Sequence, residues 1–575
     1  MLLIAGVVGF HLGATRFFDW QAPVETAQVL AGLVRYPEET PFFIYHVRLW
    51  TLLHQVCAAL FAAGASEIWL SRAMSGLLGM VSLQALAMVT FAFSRRTWLA
   101  IGVSILLFVS HVTDVGAVYP IFLMGVPFTY GIIGLSLITL TAAVLGSGMP
   151  RTGAFLLGLA PAIHPSLGFW LWLILLPCVA VERDLRTMLR GAARWLAAGC
   201  VITIASLALH QWSALGVPSV PTDNTRRYFD AFVTLWDGHR RAVDAGETAV
   251  LFNVAALLIS TLWLWSRRLD LAPPAAVLLR FVQVSATLAL LLVPVTWIDP
   301  HKVPTTILML MPGRILNVDA LTIVAVIVGL LAALPGPWTR LALLGVTGAL
   351  IANRESVVWR LFVEHPPSWI EILSPRWIVL AAAVAALAAA ASRGWPASPP
   401  GPGLQSSWLT RLANAGIAVV LLVALVAAYR VPENRTHLYL DRTNSGVLAA
   451  ASRGEGLLLT AGNMPFVQMR TRRPLLIDSS ALDTAGYMPA TAAAMHAILL
   501  DIYGIDLFNP PADARGEGRV PQAAHRKAWE QRTREEWRTI ARTYRVTQVL
   551  TPATWQLDLP VVAGDRRLLL YALPW

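Results

Sequence analysis

An acidic residue interrupts the aromatic stretch FFDW that follows the first apolar segment of the chain. Asp19 is this residue, and Phe17, Phe18 and Trp20 flank it. Aromatic neighbours remove water from a carboxylate, which raises its pKa towards the range in which a general base works. Two ordinary explanations compete: an interfacial aspartate that reaches water, or one that pairs with Arg16. The residue types alone leave all three open.

Polar residues also occur in two apolar stretches, where a polar side chain at membrane depth is costly. His46 and Arg48 lie in FFIYHVRLW, and either could bind a phosphate or an acceptor, or face water from an amphipathic helix. His164 lies in APAIHPSLG, where Pro165 disfavours a helical residue before it. This break predicts that His164 is exposed at the outer mouth of a helix pair, as a ligand-binding residue or as a cap without a ligand.

A charged loop follows, with the sequence RRYFDAFVTLWDGHRR. If it is helical, Asp230 and Asp237 lie two turns apart on one face. His239 and Arg240 suit a phosphate, because a guanidinium fork matches phosphate oxygens. A solvated charged helix is the alternative for each of these residues.

The next loop, WIDPHKVPTTILMLMPGRILNVD, contributes Asp299, His301, Lys302 and Arg314. Arg314 precedes an apolar span, where it either snorkels to water or clamps a lipid phosphate. The spacing Asp-x-His occurs in both loops and offers two metal ligands each time, but neither copy forms a recognised motif. No metal ligand is predicted, and a dependence on divalent metal stays undecided.

The composition is that of a membrane protein. Of the 575 residues, 56% are hydrophobic and only 13% are charged, whereas soluble domains carry about 25% charged residues. The 22 tryptophans suit membrane interfaces. The net charge of +11 comes with no basic stripe interleaved with aromatics, which argues against nucleic-acid binding. Cys57, Cys178 and Cys200 lie in apolar segments without metal-ligand spacing.

Apolar runs long enough or nearly long enough to cross a bilayer recur throughout the first three quarters of the chain. They lie near 1–14, 77–93, 98–113, 128–147, 153–163 with 165–181, 196–215, 248–266, 276–297, 317–334, 340–353, 376–391 and 411–429. The first run has neither a basic n-region nor an A-x-A site, so no cleavable signal peptide is predicted. The count is about thirteen crossings, and the weakest are 153–163 and 340–353.

Basic connectors predict the orientation. They lie at 94–96, 182–194 and 266–268, and alternate crossings place all three on one side, which the positive-inside rule makes the cytoplasm. The first long loop, 15–76, and the carboxy-terminal part then lie outside. The sequence SRGWPASPPGPGLQSS, 392–407, reads as a linker before the last span.

From residue 430 to 575 the composition becomes that of a soluble domain. GLLLTAG (456–462) and RPLLID (473–478) predict short buried strands, and residues 525–544 predict a charged amphipathic helix followed by the strand-like stretches VTQVLT and RRLLLYAL. Alternating strands and helices predict a small α/β domain. The chain has no glycine-rich phosphate loop, which argues against a nucleotide site.

The order of features in the first loop resembles a known family. An acidic residue after the first span is followed by YPEETPFFIYHVRLW, an amphipathic helix, a Gly-x-Ser-Glu turn and the segment SEIWLSRAMSGLLG. This order is similar to that of the GT-C superfamily of membrane glycosyltransferases, in the branch of protein mannosyltransferases and aminoarabinose transferases. The short helix pair in GAFLLGLAPAIHPSLGFWLWLILL resembles a paired feature of that family. Here Trp20 follows Asp19, where many relatives have a second acid, and His164 occupies a junction that often holds lysine.

The resemblance implies an α-helical polytopic membrane domain of GT-C type, 1–429, with an extracytoplasmic α/β domain, 430–575. It implies a polyprenyl-phosphate sugar as the donor, a lipid, glycan or protein acceptor outside the cytoplasm, and contact with membrane lipids. It also implies Asp19 as the general base. His46, Arg48, His164, Asp237, His239, Arg240, Lys302 and Arg314 are the candidates for binding the donor phosphate or the acceptor.

Two other classes of function remain. A polysaccharide polymerase or O-antigen ligase would use polyprenyl-diphosphate glycans, but such enzymes usually have neither a carboxy-terminal soluble domain nor an acid in the first loop. A transporter or assembly scaffold would not be catalytic. Transporters are commonly built from repeated halves with polar residues near the midplane. This sequence has no internal repeat, and its polar residues cluster in the outer loops.

Overall fold

The computed structural model describes residues 1–16, 20–37, 40–112, 116–118, 130–215, 225–363, 372–392, 408–431, 444–477 and 482–574. Asp19, the predicted base, therefore lies outside the described residues. The predicted linker also lies outside them, apart from its first residue.

Twenty helices make up the described part of the amino-terminal three quarters of the chain. In order they are α1 Leu2–Thr15, α2 Gln21–Leu30, α3 Pro41–Arg48, α4 Leu52–Ala62, α5 Glu67–Ser94, α6 Thr97–Ser110, α7 Gly131–Gly146, α8 Pro150–Ile163, α9 Pro165–Val181, α10 Arg183–Gly191, α11 Ala193–Ala214, α12 Thr225–Leu235, α13 Thr248–Ser266, α14 Pro273–Leu292, α15 Thr305–Leu310, α16 Leu316–Ala333, α17 Pro337–Ala352, α18 Val357–Phe362, α19 Pro375–Ala391 and α20 Trp408–Arg430.

Six helices within the described ranges are long and apolar enough to cross a membrane: α5, α11, α13, α14, α16 and α20. Another six are apolar but shorter, and α9 with α10 forms a pair bent by 112°. The chain is therefore a multi-pass helical membrane protein, while the count of about thirteen crossings stays a prediction. The break between α8 and α9 falls at His164, as the sequence predicts. The predicted span 77–93 starts too late, because α5 begins at Glu67, where Ser66 caps it by accepting from the Trp69 amide.

Basic connectors and exposed tryptophans mark one end of the helix bundle. At this end Glu182 accepts from Arg268 at 2.5 and 3.0 Å, so the basic connectors at 182–194 and 266–268 lie together. Exposed tryptophans mark this level on helices that start or end there: Trp98, Trp195, Trp265, Trp338 and Trp408. Such a belt is typical of a membrane–water interface.

One acidic residue lies inside the bundle, contrary to the expectation that polar groups cluster in the outer loops. Asp319, in the first turn of α16, is fully buried and accepts from the Ser285 hydroxyl at 2.9 Å. Helix α16 is the central helix, since every residue from Leu316 to Ala332 is buried. Burial among the neighbouring helices keeps this carboxyl away from lipid, and the Ser285 hydroxyl supplies it with a hydrogen-bond donor.

The carboxy-terminal part contains a four-stranded mixed sheet in the order β1-β2-β4-β3. Strand β1 pairs parallel with β2, and the pairs β2–β4 and β3–β4 are antiparallel. The strands are β1 Leu457–Thr460, β2 Val546–Pro552, β3 Val561–Gly564 and β4 Leu568–Ala572; the helices are α21 Gly446–Arg453, α22 Val467–Thr471, α23 Asp483–Tyr487, α24 Ala492–Ile498, α25 Gln522–Gln531 and α26 Arg534–Tyr544.

Two local predictions for this part are wrong. The single helix predicted at 525–544 is two helices, because Thr533 and Glu536 form a capping box that starts α26 afresh. The strand predicted at 473–478 is reduced to one isolated bridge between Leu475 and Leu458. The predicted α/β character is nevertheless present in the strands and helices described.

The core of this part continues into the loops that the sequence predicts on the outer side of the membrane domain. Phe42 of α3, Phe229 and Phe232 of α12, and Trp236 belong to the same buried cluster as the strands β1, β2 and β4. The Trp236 indole donates to the Leu507 carbonyl at 2.9 Å. The carboxy-terminal part therefore packs on these loops, at the end of the bundle opposite to Glu182. We call residues 444–574 the outer domain, after the side on which the sequence predicts them to lie.

Candidate functional site at the junction of the two domains

Both sides of the predicted base are anchored. Trp20 is 1% exposed; its amide donates to Ser71 Oγ at 3.1 Å and its indole donates to Ser75 Oγ at 2.8 Å. On the other side, Arg16 donates to the Ala428 carbonyl at 2.9 Å and lies over a phenylalanine ring. The three residues between them, which include Asp19, lie outside the described part, so a pair between Asp19 and Arg16 stays untested. The chain that carries Asp19 is held at each end.

The segment SEIWLSRAMSGLLG supplies the anchors of Trp20 from one face of α5. Residues spaced four apart share a helix face, and here Glu67, Ser71, Ser75 and Gly79 do so. Ser71 and Ser75 hold Trp20. Gly79 and the Ser75 backbone lie directly against the glycines of α1. The segment thus packs α1, holds the residue after Asp19 and, through Glu67, contacts the outer domain.

Helix α22 of the outer domain docks on the first loop. Arg472 forms an ion pair of 2.5 Å with Glu67, a residue that is 6% exposed. The Gln468 amide donates to the Glu25 carbonyl at 3.1 Å, and Gln28 donates to the Met469 carbonyl at 2.9 Å. Arg472 belongs to the arginine-rich stretch QMRTRRPLLID, for which the sequence leaves open contact with anionic headgroups, contact with glycan, or a place beside a strand. In the structure it binds the Glu67 carboxylate.

The other two arginines of that stretch also have internal contacts. Arg473 is 3% exposed, donates to the backbone carbonyls of Ala451 and Gly456, and so ties the start of the sheet together. Burial lowers the pKa of Arg473 to about 10. Arg470 lies over the Phe466 ring at 4.8 Å. These contacts explain the arginine-rich sequence structurally.

His46 is buried in the first loop and does not face water. Its Nδ1 lies 2.9 Å from Thr26 Oγ1, and the rings of Tyr36 and Phe42 lie 5.7 and 5.4 Å away. Burial lowers the pKa of His46 to about 3. A neutral histidine among aromatic rings is a poor phosphate ligand, so the contacts of His46 favour a structural role. Arg48, at the end of α3, accepts through its carbonyl from His210 at 2.8 Å.

His164 is buried, which corrects the prediction that it is exposed. Its Nδ1 accepts from the Leu167 amide at 3.4 Å and so caps α9. Its ring stacks on Tyr130 at 5.4 Å, and Tyr130 stacks on His54 at 5.1 Å. The Thr51 hydroxyl bridges the Tyr130 hydroxyl at 2.6 Å and His54 Nδ1 at 2.9 Å. This His-Tyr-His stack joins the helix break to the first loop.

Arg314 and Arg240 meet the outer domain at α23. Arg314 is 6% exposed and donates to the Tyr487 hydroxyl at 3.0 Å. Arg240 donates to the Gly486 carbonyl at 3.0 Å and to the Leu308 carbonyl at 2.9 Å. A side chain at position 486 would come within 3 Å of the Arg240 guanidinium, which explains glycine there. The snorkelling explanation for Arg314 is wrong, because the outer domain covers it.

Asp237 lies beyond the end of α12 and not on the helical face predicted for it. The helix ends at Leu235, after which Asp237 pairs with Arg240 and accepts from the His239 amide at 2.8 Å. Burial alone would raise the pKa of Asp237, but Arg240 and His239 together hold it well below its usual range. Arg240 is therefore engaged in an internal ion pair, and His239 is the partly exposed member of the group.

We predict that removing the ion pair between Asp237 and Arg240 causes a large loss of stability. Asp237→Asn leaves the Arg240 guanidinium, 3% exposed, without its carboxylate. The expected cost is about 3 kcal/mol of unfolding free energy, because a buried charge loses its compensation. Thermal unfolding at pH 7 measures it. Asp558→Asn, which breaks an exposed pair with Arg534, is the matched control and should cost under about 1 kcal/mol. Equal losses in the two variants would contradict the prediction.

The remaining loop candidates form a separate group. Asp230, which is 4% exposed, accepts from Arg226 at 2.9 Å and lies 2.7 Å from His301 Nδ1. Asp299 accepts from the His301 amide at 3.0 Å and, like Lys302, is exposed. The two Asp-x-His sequences therefore make local turns. Within the described residues no cluster of three or more His, Cys, Asp or Glu side chains could hold a metal ion.

Asp483, which the sequence did not single out, adds a second carboxylate near Asp237. Burial raises the pKa of Asp483 to about 6; the Asp237 charge acts in the same direction, while His239, Arg240 and Arg519 oppose it. An acid with a raised pKa stabilises the fold below its unfolded pKa, and that stability is lost as the pH rises through about 6. Near neutral pH the ionised Asp483 carboxylate therefore lowers the free energy of unfolding.

Asp483→Asn is accordingly expected to raise the thermal midpoint at pH 8 and to leave it nearly unchanged at pH 4.5. The neutral amide removes the cost of ionising a half-buried carboxyl, and this cost exists only above the raised pKa. Thermal unfolding at both pH values measures the difference. Asp513→Asn, at an exposed position of the same domain, should change neither midpoint. A lower midpoint for Asp483→Asn at pH 8 would mean that the ionised form is the stabilising one.

No protein-family model matches the chain, and no curated protein matches it. Among solved structures it is similar to ArnT from Cupriavidus metallidurans bound to undecaprenyl phosphate, with a TM-score of 0.44 and 17% identity over 100% of this chain and 97% of that chain. ArnT from the same organism in the apo state gives a TM-score of 0.43 and 16% identity over the same shares. The similarity covers both chains almost completely. At this low identity, no residue of this chain is assigned a role from ArnT.

Proposed function

We propose that this protein is an integral membrane glycosyltransferase of the bacterial inner membrane. It moves a sugar from a polyprenyl-phosphate donor to a lipid, glycan or protein acceptor at the periplasmic face, where the α/β domain lies, and Asp19 is its general base. One observation carries the proposal: the residues on both sides of Asp19 are fixed, and the outer domain clamps the same loop through Glu67 and Gln28. Preorganisation of this kind is what a positioned catalytic group requires.

The reaction needs a base on the acceptor and cations near the leaving phosphate. The Asp19 carboxylate takes the proton of the acceptor hydroxyl, whose oxygen bonds to the anomeric carbon while the bond from that carbon to the phosphate oxygen breaks. The electron pair of that bond leaves with the polyprenyl phosphate. Arg314 is the proposed clamp for this anion, because it is a buried cation at the outer end of the bundle with a neutral hydroxyl beside it.

The other candidate residues of the site have different proposed roles. Arg240 positions α23 through its bonds to Asp237 and Gly486. His239 and Lys302 are exposed or partly exposed at the outer rim, where they can meet a phosphate or an acceptor. His164, through its stack with Tyr130, shapes the wall below them. No nucleic-acid partner and no metal enter this proposal.

The test offers purified protein in lipid nanodiscs a panel of short-chain polyprenyl-phosphate sugars with mixed lipid and glycan acceptors. Release of polyprenyl phosphate is the signal, and a parallel panel contains polyprenyl-diphosphate glycans. Release from monophosphate sugars alone supports the proposal and identifies the donor. Release from diphosphate glycans alone would replace it with a polymerase or ligase. No release from either panel, with folded protein, would favour a scaffold.

A further inference from the structure

Helix α10 turns sharply away from the membrane-spanning helix before it. The bend between α9 and α10 is 112°, so α10 runs across the end of the bundle and not through it. The bend is held by Glu182, which is 1% exposed and accepts from Arg268 at 2.5 and 3.0 Å. An amphipathic helix in this orientation lies in the plane of a membrane interface.

The two faces of α10 differ in charge. At 100° per residue, Arg183, Arg186 and Arg190 fall within an arc of about 60°. The opposite face carries Leu185, which is fully buried, and Leu189, which packs on the bundle core. Arg183 and Arg190 are exposed, whereas Arg186 is half-buried and donates to the Ala180 carbonyl at 3.3 Å. The three arginines therefore form one stripe on the face of α10 that is turned away from Leu185.

The acids of this segment do not neutralise the stripe. Glu182 forms an ion pair with Arg268, and the Arg268 guanidinium also lies 3.8 Å from Asp184. In the parts of the chain that the structure describes, no carboxylate forms an ion pair with any of the three stripe arginines. The stripe thus keeps its positive charge.

The helix lies at the lipid-facing rim of the bundle. Leu176 and Val181, near the end of α9, are 57% and 62% exposed. Helix α11, which follows α10, is the most exposed of the long apolar helices, and Trp195 in its first turn belongs to the tryptophan belt. Helix α10 therefore lies at the depth of the lipid headgroups, between two helices that face acyl chains.

We propose that α10 is a binding surface for the headgroups of anionic phospholipids in the inner leaflet. The phosphate diester of such a lipid is the anion that is abundant at this depth, and its charge complements the three guanidinium groups. The surface lies at the end of the bundle opposite to the Asp19 loop, so it is separate from the transferase site. Each arginine contributes to retaining one or two lipids beside α10.

The test compares purified native protein with the triple variant Arg183→Gln/Arg186→Gln/Arg190→Gln. Native mass spectrometry counts the lipids retained after exchange into mixtures of phosphatidylglycerol and phosphatidylethanolamine. The native protein is expected to retain phosphatidylglycerol selectively, and the variant to bind it at least tenfold more weakly. Arg526→Gln/Arg534→Gln/Arg538→Gln, which removes the same charge from the outer domain, should match the native protein.

Equal retention of phosphatidylglycerol by native protein and the α10 variant would overturn the proposal, and so would equal retention of the two lipids by native protein. Displacement of phosphatidylglycerol by millimolar inorganic phosphate would overturn it as well, because it would assign the stripe to a soluble anion. If the glutamine variant fails to fold, the lysine triple variant and Arg190→Gln alone replace it. The lysine variant should keep most of the selectivity, since it keeps the charge.

Discussion

Asp19→Asn is expected to lower the release of polyprenyl phosphate at least a hundredfold while the thermal midpoint stays unchanged. A positioned general base contributes about 10²- to 10⁴-fold to a rate, and asparagine cannot accept the proton of the acceptor hydroxyl. The change is nearly isosteric, and the hydrogen bonds that hold Arg16 and Trp20 go to Ala428, Ser71 and Ser75. The loop should therefore keep its fold.

The measurement is turnover in nanodiscs at equal amounts of folded protein, with the donor that the panel identifies. Asp19→Glu keeps a carboxylate and is expected to retain more turnover than Asp19→Asn. Asp513→Asn, an exposed acid of the outer domain, is the control with native turnover. Equal release by native protein and Asp19→Asn would remove Asp19 as the base and direct attention to Asp230, Asp237 and Asp299.

The second large effect is expected where α1 packs on α5. A Cβ atom at Gly9 would overlap the Gly79 carbonyl oxygen, and one at Gly13 would overlap the Ser75 carbonyl oxygen. The double variant Gly9→Ala/Gly13→Ala must push the two helices apart, since backbone atoms cannot rotate away. At about 2 kcal/mol for each overpacked site, the expected loss is about 4 kcal/mol of unfolding free energy.

Turnover should fall along with stability in this variant, because α1 carries the chain into Asp19 and α5 holds Trp20. Thermal unfolding and turnover are the two measurements. Gly345→Ala/Gly348→Ala, in α17, is the matched control: nothing lies within 4 Å of a Cβ atom at either position. A double variant of α1 as stable as this control would show that the helices do not pack as closely as described.

The sequence predicts what depends on local pattern. Apolar runs predicted most of the long helices, and Pro165 predicted the break between α8 and α9, since both signals lie within a few residues of the feature. The capping box at Thr533 is an equally local signal, but it was missed because the charged residues 525–544 read as one continuous helix. Strand β3 was missed because Val561 and Val562 are exposed and lack the alternation of a half-buried strand.

The contacts of the site depend on partners that are distant in the chain. His54, Tyr130 and His164 come from three separate segments, and no spacing rule joins them into a stack. Tyr487 and Asp483 carried no signal at all. Snorkelling was one explanation for Arg314, because the residues around it in the sequence are apolar. These neighbouring residues do not predict that a domain distant in the chain covers its side chain. Its burial could be found only from the fold.

The ion pair between Glu67 and Arg472 also bears on how the protein is made. The two residues are 405 positions apart, and the first loop also receives Gln468 and Met469 from the same late segment. A ribosome completes the early loop hundreds of residues before it supplies these partners. Through most of synthesis the Glu67 carboxylate and the Gln28 amide therefore lack their final protein partners. The first loop reaches its final contacts only after residues 468–472 have been made, so a chain that ends before them leaves this loop without these partners.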